Sequence, residues 1–245
     1  MIREYHRPQT LDEALALLTE PNTVPLGGGT LLSTTRIDSV KVVDLQALGL
    51  NTVKKQGNNL EVGATVTLQQ LLEDANCSPE LKSALKLEAP LNIRNSATAA
   101  GTLVSCDGRS TFISMLLAMD ANLSVISDQS SVVNVGDFLP LRPRGLITSI
   151  QIPLNVKSAF EYVSRTPADK PIICAALVQW NSGRTRLVLG GYGKSPLLAM
   201  DGTEAEGLEA AARNAYHEAT DEWASAEYRM DVAAVLAKRC LAELY

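Results

Sequence analysis

Apolar positions recur every three or four residues near the start of the chain, within residues 10–18. The positions with this spacing are Leu11, Ala14, Leu15 and Leu18. The spacing predicts a short amphipathic helix, which Thr10 can cap and which Glu13 supports by completing a capping box. Two apolar stretches after it, 23–26 and 40–45, predict strands. The start of the chain is therefore expected to combine strands with a helix.

The middle of the chain shows both strand and helix patterns. The predicted strands are a hairpin within 53–62 that turns at 56–59, a hairpin of 123–127 and 131–135 across 128–130, and a single strand at 146–153. The predicted helices are 67–74, capped by Thr67, 80–87 and 111–119. The last of these is apolar at nearly every position, so we expect it to be buried.

The pattern changes near residue 155, where we place a domain boundary. The predicted strands are 159–164, 172–180 and 185–190, and the predicted helices are 204–219 and 225–244. Three strands followed by two helices predict a three-stranded antiparallel sheet packed on C-terminal helices. The last 45 residues, 201–245, hold ten acidic and four basic side chains, which we interpret as a solvated helical face.

Composition and charge exclude several classes of protein. The chain has 245 residues, 46 % of them hydrophobic, and a formal net charge of −5. Disorder over most of its length is excluded, and so is nucleic-acid binding, which needs a clustered basic face. No apolar run reaches the roughly 18–20 residues of a membrane span. The charged first eight residues have no apolar segment behind them, so no signal peptide is expected.

Cysteines and histidines predict no metal site. The cysteines are Cys77, Cys106, Cys174 and Cys240. No pair has the C-x-x-C spacing of zinc or iron–sulfur ligands, which favours reduced, buried thiols in a cytoplasmic protein. His6 and His217 are too few for a histidine-based site, and we expect His217 at the surface.

Three glycines in a row, Gly27, Gly28 and Gly29, stand between a predicted strand and an apolar pair. Without Cβ atoms, their backbone N–H groups can converge into a nest that favours an anion, typically a phosphate. The segment is neither G-x-G-x-x-G nor a P-loop with its lysine. A glycine-rich turn chosen only for its dihedral angles is an equally good interpretation of this segment alone.

Two further segments carry candidate chemistry. Residues 93–103 are rich in small and hydroxyl side chains, which suit either the close approach of a flat or phosphorylated ligand or tight packing of a helix on a sheet. Residues 225–229 open the last predicted helix with Ser225 as its cap. For Tyr228 and Arg229 we favour a structural role, as a buried aromatic ring and a solvated cation.

The order and spacing of these segments resemble the FAD-binding, medium subunit of molybdenum hydroxylases, the xanthine dehydrogenase and carbon monoxide dehydrogenase group. The resemblance runs nearly end to end. It rests on residues 5–14, on 27–30 where the family has an A-G-G-T type loop, on 62–68 (I-G-A-x-T-x-L), on 93–98 before the usual T-I-G-G-N, on 150–153, and on 225–229 (S-x-x-Y-R).

The resemblance implies an electron-transfer subunit, with an iron–sulfur subunit and a molybdopterin subunit on separate chains. Electrons would pass through FAD to NAD or another acceptor. The implied fold is α+β: a FAD-binding domain, 1–154, of two α/β lobes (about 1–52 and 53–154), and a C-terminal domain, 155–245. A homo-oligomer is left open. The implied FAD-binding residues are Leu26, Gly27, Gly28, Gly29, Thr30, Leu31, Leu32, Thr98, Ala99, Ala100, Gly101, Thr102 and Thr111.

Several of these positions depart from the family pattern. Ala100 replaces a usual Gly, Thr102 a usual Asn, and Thr111 a carboxylate that can bind the FAD ribose; Leu31 replaces an acidic residue. If position 100 needs a positive φ, Ala is strained there. We therefore expect weakened FAD affinity on an intact fold. A second function stays open, a flavin-poor paralogue that acts as a structural or assembly subunit. A third, a stand-alone oxidoreductase, is disfavoured by 225–229.

Overall fold

Three separate β-sheets organise the chain in the computed structural model, which describes residues 2–32, 39–127, 129–167 and 169–245. One sheet is parallel and two are antiparallel. Each is formed by strands from one continuous stretch of sequence. An α+β architecture is confirmed. Residue 128, in the turn predicted at 128–130, lies outside the described residues.

The first sheet belongs to the predicted first lobe. Its elements are β1 (Ile2–His6), α1 (Leu11–Leu18), β2 (Thr23–Leu26), β3 (Val40–Asp44) and a 3-10 turn (Gln46–Leu48). The strands are parallel in the order β1-β3-β2. Helix α1 begins as predicted, because Thr10 Oγ1 accepts a hydrogen bond from the Glu13 amide at 3.3 Å. The Glu13 carboxylate accepts from the Gln9 amide rather than from Thr10, so the predicted capping box is modified.

The second sheet covers the predicted second lobe. Its elements are β4 (Val53–Gln56), β5 (Asn59–Gly63), α2 (Leu68–Glu73), α3 (Pro79–Glu88), α4 (Leu91–Arg94), α5 (Ala99–Ser105), α6 (Thr111–Ala118), β6 (Asn122–Ile126), β7 (Ser130–Asn134), α7 (Val135–Leu141) and β8 (Leu146–Pro153). The strands are antiparallel in the order β4-β5-β8-β6-β7. Both predicted hairpins are confirmed, and every residue of α6 is buried as expected.

The third sheet has four strands rather than the predicted three. Its elements are β9 (Val156–Val163), β10 (Ile173–Trp180), β11 (Thr185–Gly190), β12 (Leu197–Gly202), α8 (Leu208–Ala215) and α9 (Ala226–Leu244). The antiparallel order is β12-β11-β10-β9. The missed strand β12 is an edge strand with no fully buried residue, and a bulge opposite Leu187 and Val188 interrupts its register, so its pattern does not alternate.

This third sheet is buried on both faces. Ala176 and Val178 of β10 pack into the core of the second lobe, whereas Ala175 and Leu177 pack into a core formed with α8 and α9. The sequence of a strand that is covered on both faces is a continuous apolar run, as it is over most of β10. The C-terminal sheet is therefore sandwiched between α6 and the terminal helices.

An ion-pair network also joins the third sheet to the second lobe. Asp120, just after α6, accepts hydrogen bonds from Arg186 and, at 2.8 Å, from Nη1 of Arg184. Arg184 Nη2 also donates to Asp201 of β12 at 2.8 Å. Burial opposes ionisation of Asp120, but Arg186 and Arg184 together outweigh it and lower the pKa of this carboxyl.

At the start of the last helix, the burial of Tyr228 and Arg229 is the opposite of what we predicted. Ser225 Oγ accepts from the Tyr228 amide at 3.3 Å and caps α9 as predicted. Tyr228 is exposed, however, whereas Arg229 is 0 % exposed, so the assignment of a buried aromatic and a solvated cation is wrong. Arg229 Nη2 donates to Asp221 at 2.9 and 3.0 Å, and its guanidinium lies 5.1 Å from the Tyr192 ring centroid. Its role within the fold is structural.

The four cysteines are free and buried, as expected. Burial raises the pKa of the Cys106 thiol to about 11 and that of the Cys174 thiol to about 12. These thiols are therefore protonated at neutral pH and poor nucleophiles. Within the described part of the chain, every helix is too short or too polar to cross a bilayer.

Candidate functional site

A cavity of about 290 Å³ lies between the first and second lobes. The first lobe contributes the end of β2 and the glycine segment 26–32, and the second lobe contributes α5 and the start of β8. All of the described residues that line this cavity are uncharged, so we call it the apolar cavity. A ligand held here must be recognised by shape, by backbone groups and by the hydroxyl side chains of the lining, Thr30, Thr98 and Ser105.

The glycine segment fits against the second lobe only because it lacks side chains. A Cβ atom on Gly28 would lie 1.6 Å from the Ser96 carbonyl oxygen. A Cβ on Gly27 would lie 2.6 Å from Thr98 Oγ1. These separations are far below van der Waals contact, so the two segments predicted to bind one ligand are in direct contact with each other.

The backbone of this segment is available to a ligand. No residue of the described chain accepts a hydrogen bond from the amide N–H of Gly28 or Gly29, and both residues line the apolar cavity. Gly29 has φ +70°, a conformation that glycine adopts without strain. Gln46 Nε2 donates to the Gly27 carbonyl at 3.2 Å and fixes that peptide. Unbonded consecutive amides beside a residue of positive φ are features that the predicted anion nest requires.

The second predicted segment, 98–102, is the start of a helix rather than a loop. Thr98 is the N-cap of α5, and its Oγ1 accepts from the Gly101 amide at 3.2 Å. Ala100 lies within α5 and is absent from the residues with positive φ, so it carries none of the strain considered for it. Its side chain simply adds a methyl group to the cavity wall.

The structure brings most of the predicted site residues together. The apolar cavity is lined by nine of them, Gly27, Gly28, Gly29, Thr30, Leu31, Leu32, Thr98, Ala100 and Gly101. Leu26 ends β2 beside this group, and Ala99 is fully buried beneath it, its amide donating to the Val66 carbonyl at 2.8 Å. Thr102 and Thr111 lie elsewhere.

A second cavity of about 570 Å³ adjoins the first, and Thr30 and Ser105 line both. We call it the charged cavity, because its charged lining residues are Lys86, Glu88, Asp169 and Lys170. Thr102 lines this cavity and not the apolar one. The candidate site therefore consists of two neighbouring cavities, one with an uncharged lining and one with charged side chains in its lining.

Glu88 is the most buried charged residue of this second cavity, at 6 % exposure. Its Oε2 accepts hydrogen bonds from Ser110 Oγ at 2.7 Å and from the Phe112 amide at 3.0 Å. The carboxylate thus lies at the N-terminal end of α6, where helix N–H groups stabilise negative charge. Its Oε1 lies 3.4 Å from Lys170 Nζ.

Thr111, the predicted ribose contact, lies in neither cavity. It is 0 % exposed, and its hydroxyl donates to the Ala84 carbonyl at 2.7 Å and lies 3.4 Å from Glu88 Oε2. The structure thus separates Thr111 from the other predicted residues, because its side chain points into the junction of α3 and α6.

Glu88 and Lys170 were missed by sequence reasoning. A signal for Glu88 exists, since Leu81, Ala84, Leu85 and Glu88 share one buried helical face, and an acidic residue at a core position needs a partner. No comparable signal exists for Lys170, which follows β9 in an irregular segment. Gly145 and Ile147 of the apolar cavity were also missed, because only the fold brings them to the site.

Comparison with known proteins identifies a family for this chain. The family model described as the FAD binding domain in molybdopterin dehydrogenase matches residues 1–155. The uncharacterized protein YgfM of Escherichia coli K12 is 28 % identical, with 100 % of this chain and 96 % of that protein aligned. The carbon monoxide dehydrogenase medium chain of Afipia carboxidovorans is 25 % identical, with 97 % and 95 % aligned.

Solved structures include chains with the same fold as this one. A chain of the reconstituted CO dehydrogenase from Oligotropha carboxidovorans superposes with a TM-score of 0.84 at 25 % identity, covering 98 % of this chain and 96 % of that one. The family match extends over more than half of the sequence and includes both glycine-bearing segments. The chain therefore belongs to the FAD-binding domain family of molybdopterin dehydrogenases, a family of oxidoreductase flavoproteins.

Proposed function

We propose that this chain is the FAD-binding electron-transfer subunit of a molybdopterin-dependent dehydrogenase or hydroxylase. In this proposal it receives electrons from an iron–sulfur subunit on a separate chain and passes them through FAD to NAD or another acceptor. A molybdopterin subunit, also on a separate chain, would act on the substrate. The observation that carries the proposal is the run of glycines at the wall of the apolar cavity between the two lobes.

The residues present fit a dinucleotide. The free amides of Gly28 and Gly29 suit the FAD diphosphate, and the missing Cβ of Gly28 lets the glycine segment lie against the Ser96 carbonyl at the cavity wall. Thr30 and Ser105 border both cavities, so a ligand whose diphosphate lies here can extend into each. Leu31, Ala100 and Val104 supply apolar contact.

When bound, FAD would supply the redox chemistry, since it accepts electrons in pairs or singly. The share of this chain is to bind and orient the cofactor and to exclude water from the apolar cavity. Among the described residues, this cavity has no side chain that could act as a general acid or base. We accordingly assign no catalytic residue.

Two further features belong to the same proposal. We place the division between FAD-binding and C-terminal domains at 154/155, supported by the end of β8 at Pro153 and the start of β9 at Val156. A cytoplasmic location is supported by four free cysteines, which persist in reducing compartments.

One observation favours the alternative, a flavin-poor structural or assembly subunit. The described lining of the apolar cavity has no Lys or Arg to neutralise a diphosphate and no carboxylate to bind a hydroxyl. Uncharged donors, backbone amides and hydroxyls, must then hold two negative charges. Weak FAD binding is the expected consequence, and its extreme is a protein isolated without cofactor.

The visible spectrum and an FAD titration of the purified chain separate the two functions. Oxidised-flavin bands, or saturable binding of added FAD followed by fluorescence quenching, support the electron-transfer subunit. A colourless protein that does not bind added FAD supports the assembly subunit. Affinity purification from the native host tests the partners: larger and smaller subunits should copurify in either case, and their absence would contradict membership of a complex.

A further inference from the structure

We propose that Gln46 is a positioning residue for the FAD diphosphate, which holds one peptide of the glycine segment so that its amide faces the ligand, and that Asp44 fixes Gln46 in turn. This inference rests on the proposed function. Neither residue is among the described residues that line the two cavities. Both would therefore act on the ligand through the backbone of the glycine segment.

The contact that carries the proposal is a hydrogen bond from Gln46 Nε2 to the Gly27 carbonyl oxygen, at 3.2 Å. That oxygen belongs to the same peptide as the Gly28 N–H, and the C=O and N–H of a planar trans peptide point in opposite directions. Holding the carbonyl toward Gln46 therefore turns the Gly28 amide away from Gln46. No described residue accepts a hydrogen bond from this amide, and Gly28 lines the apolar cavity.

This peptide needs an external support because glycine stands on both sides of it. Without Cβ atoms on Gly27 and Gly28, the peptide can turn over at less steric cost than one between larger residues. A turned peptide would present its carbonyl oxygen, with partial negative charge, where the amide now lies, and would repel an anion. A donor that fixes the carbonyl before the ligand arrives removes this alternative, and such pre-organisation strengthens binding.

Asp44 fixes the backbone from which the Gln46 side chain extends. The Asp44 residue is 6 % exposed, and its Oδ1 accepts a hydrogen bond from the Gln46 amide at 2.9 Å. Its Oδ2 accepts a hydrogen bond from the Tyr5 hydroxyl of β1 and lies 3.7 Å from Arg7 Nε. A buried carboxylate is stable only with such partners. The first lobe thus supplies partners for both oxygens of Asp44.

The parallel sheet of the first lobe places these groups beside the glycine segment. Leu26, the last residue of β2, pairs in register with Asp44, the last residue of β3. The Leu45 amide donates to the Leu26 carbonyl at 3.1 Å. The hydrogen bond from Gln46 to Gly27 follows this backbone bond by one residue on each strand, so it continues the ladder into the glycine segment.

Removal of the Gln46 donor tests the proposal. Gln46→Met keeps a side chain of similar length without an N–H donor, at an exposed position where the fold should tolerate it. The matched control is Gln56→Met on β4, because Gln56 is also exposed and its Nε2 also donates a hydrogen bond, to Glu61. Three quantities are measured: the dissociation constant of oxidised FAD, the Tm of the cofactor-free protein, and the ³¹P NMR shifts of the FAD diphosphate at saturation.

We expect Gln46→Met to weaken FAD binding about two- to tenfold, the worth of one hydrogen bond. The ³¹P resonances of the bound diphosphate should move toward those of free FAD. Gln56→Met should leave the affinity and the ³¹P resonances unchanged. A merely structural role of Gln46 would lower the Tm but keep the wild-type ³¹P resonances at saturation, and that result would overturn the proposal.

A double-mutant cycle tests the part assigned to Asp44. Asp44→Ala should weaken FAD binding in the wild-type background and add little in the Gln46→Met background, because Asp44 acts through Gln46. Equal losses in both backgrounds would overturn the role of Asp44. If Asp44→Ala does not fold, Tyr5→Phe takes its place in the cycle, since it removes one hydrogen bond to the same carboxylate.

The outcomes separate this inference from the proposed function. Wild-type protein that binds FAD, together with a Gln46→Met variant of unchanged affinity and unchanged ³¹P resonances, would overturn the positioning role alone. Wild-type protein that takes up no FAD would overturn the proposed function together with the inference.

Discussion

The two cavities are built in different ways. The apolar cavity is walled by backbone and small side chains, and its critical feature is the absence of atoms on Gly27 and Gly28. The lining of the charged cavity includes two acidic and two basic side chains, of which Glu88 and Lys170 pair with each other. The first should therefore be sensitive to added bulk, and the second to changes in charge.

The largest effect on FAD uptake is expected from a side chain added to Gly28, where the backbone of the second lobe is in contact. Gly28→Val places a side chain against the Ser96 carbonyl, 1.6 Å from an ideal Cβ, and must displace the glycine segment from the second lobe. We expect FAD uptake to be abolished while the chain stays folded, as measured by bound flavin absorbance and circular dichroism. Gly57→Ala, in a hairpin turn outside both cavities, is the control and should keep its flavin. Stoichiometric flavin in Gly28→Val would give the segment another role.

The next effect concerns charge at the buried end of the second cavity. Thr111→Asp would bring a second carboxylate beside Glu88 Oε2, which lies 3.4 Å from the present hydroxyl. An uncompensated buried charge costs about 3–5 kcal/mol of unfolding free energy, measurable by urea denaturation. Combining it with Glu88→Gln should recover most of that loss.

Thr111→Val is the matched control, because it removes only the hydrogen bond to Ala84, worth about 1 kcal/mol. Equal destabilisation by Thr111→Asp and Thr111→Val would show that the junction accommodates two acids.

A smaller effect separates two departures from the family pattern. Thr102→Asn extends an amide into the charged cavity and should strengthen FAD binding about two- to tenfold, the worth of one hydrogen bond. Ala100→Gly should bring no such gain, because Ala100 is unstrained, and should cost about 1 kcal/mol of helix stability. FAD titration and thermal unfolding of both variants test these two expectations. Tighter FAD binding by Ala100→Gly but not by Thr102→Asn would contradict them.

The smallest effect lies outside both cavities, in the network around Asp120. Because Arg186 and Arg184 lower the folded-state pKa of Asp120, its contribution to stability is present above the ordinary pKa of 3.8 and is lost as the pH falls through the lowered value. Asp120→Asn should therefore flatten the acid side of a plot of Tm against pH. Asp12→Asn, on the exposed face of α1, is the control, and an equal flattening there would contradict the assignment.

Elements with a strong apolar period were predictable, and edge elements were not. Strand β8 has the predicted bounds, and α6 differs by one residue, because their burial follows from local sequence. Strand β1 was missed, because four of its five residues are exposed and its pairing to β3 is decided by distant contacts. Helix α5 was missed, because its seven residues include Gly101 and depend on the Thr98 cap.

The residues of the candidate site also differ in whether a local sequence pattern reveals them. The three consecutive glycines identified a wall of the apolar cavity, because only glycine allows the backbone approach found there. Lys170 and Gly145 could not be found in the same way, since each acquires its position only when separate elements meet. Glu88 has a local signal on the buried face of α3, but its polar partners come from other elements. The position of Thr111 beneath α3 likewise depends on helix packing, which no local motif encodes.

Two consecutive residues of β8 oppose separation of the two lobes. Leu146 is buried in the small core of the first lobe, and Ile147, the next residue, in the large core of the second. Both also line the apolar cavity. Widening the gap must pull one of these side chains from its core, at about 1.5–3 kcal/mol for a fully exposed Leu or Ile. Strand β8 thus links the two lobes through two adjacent buried side chains, and separating the lobes at this point carries a cost in free energy.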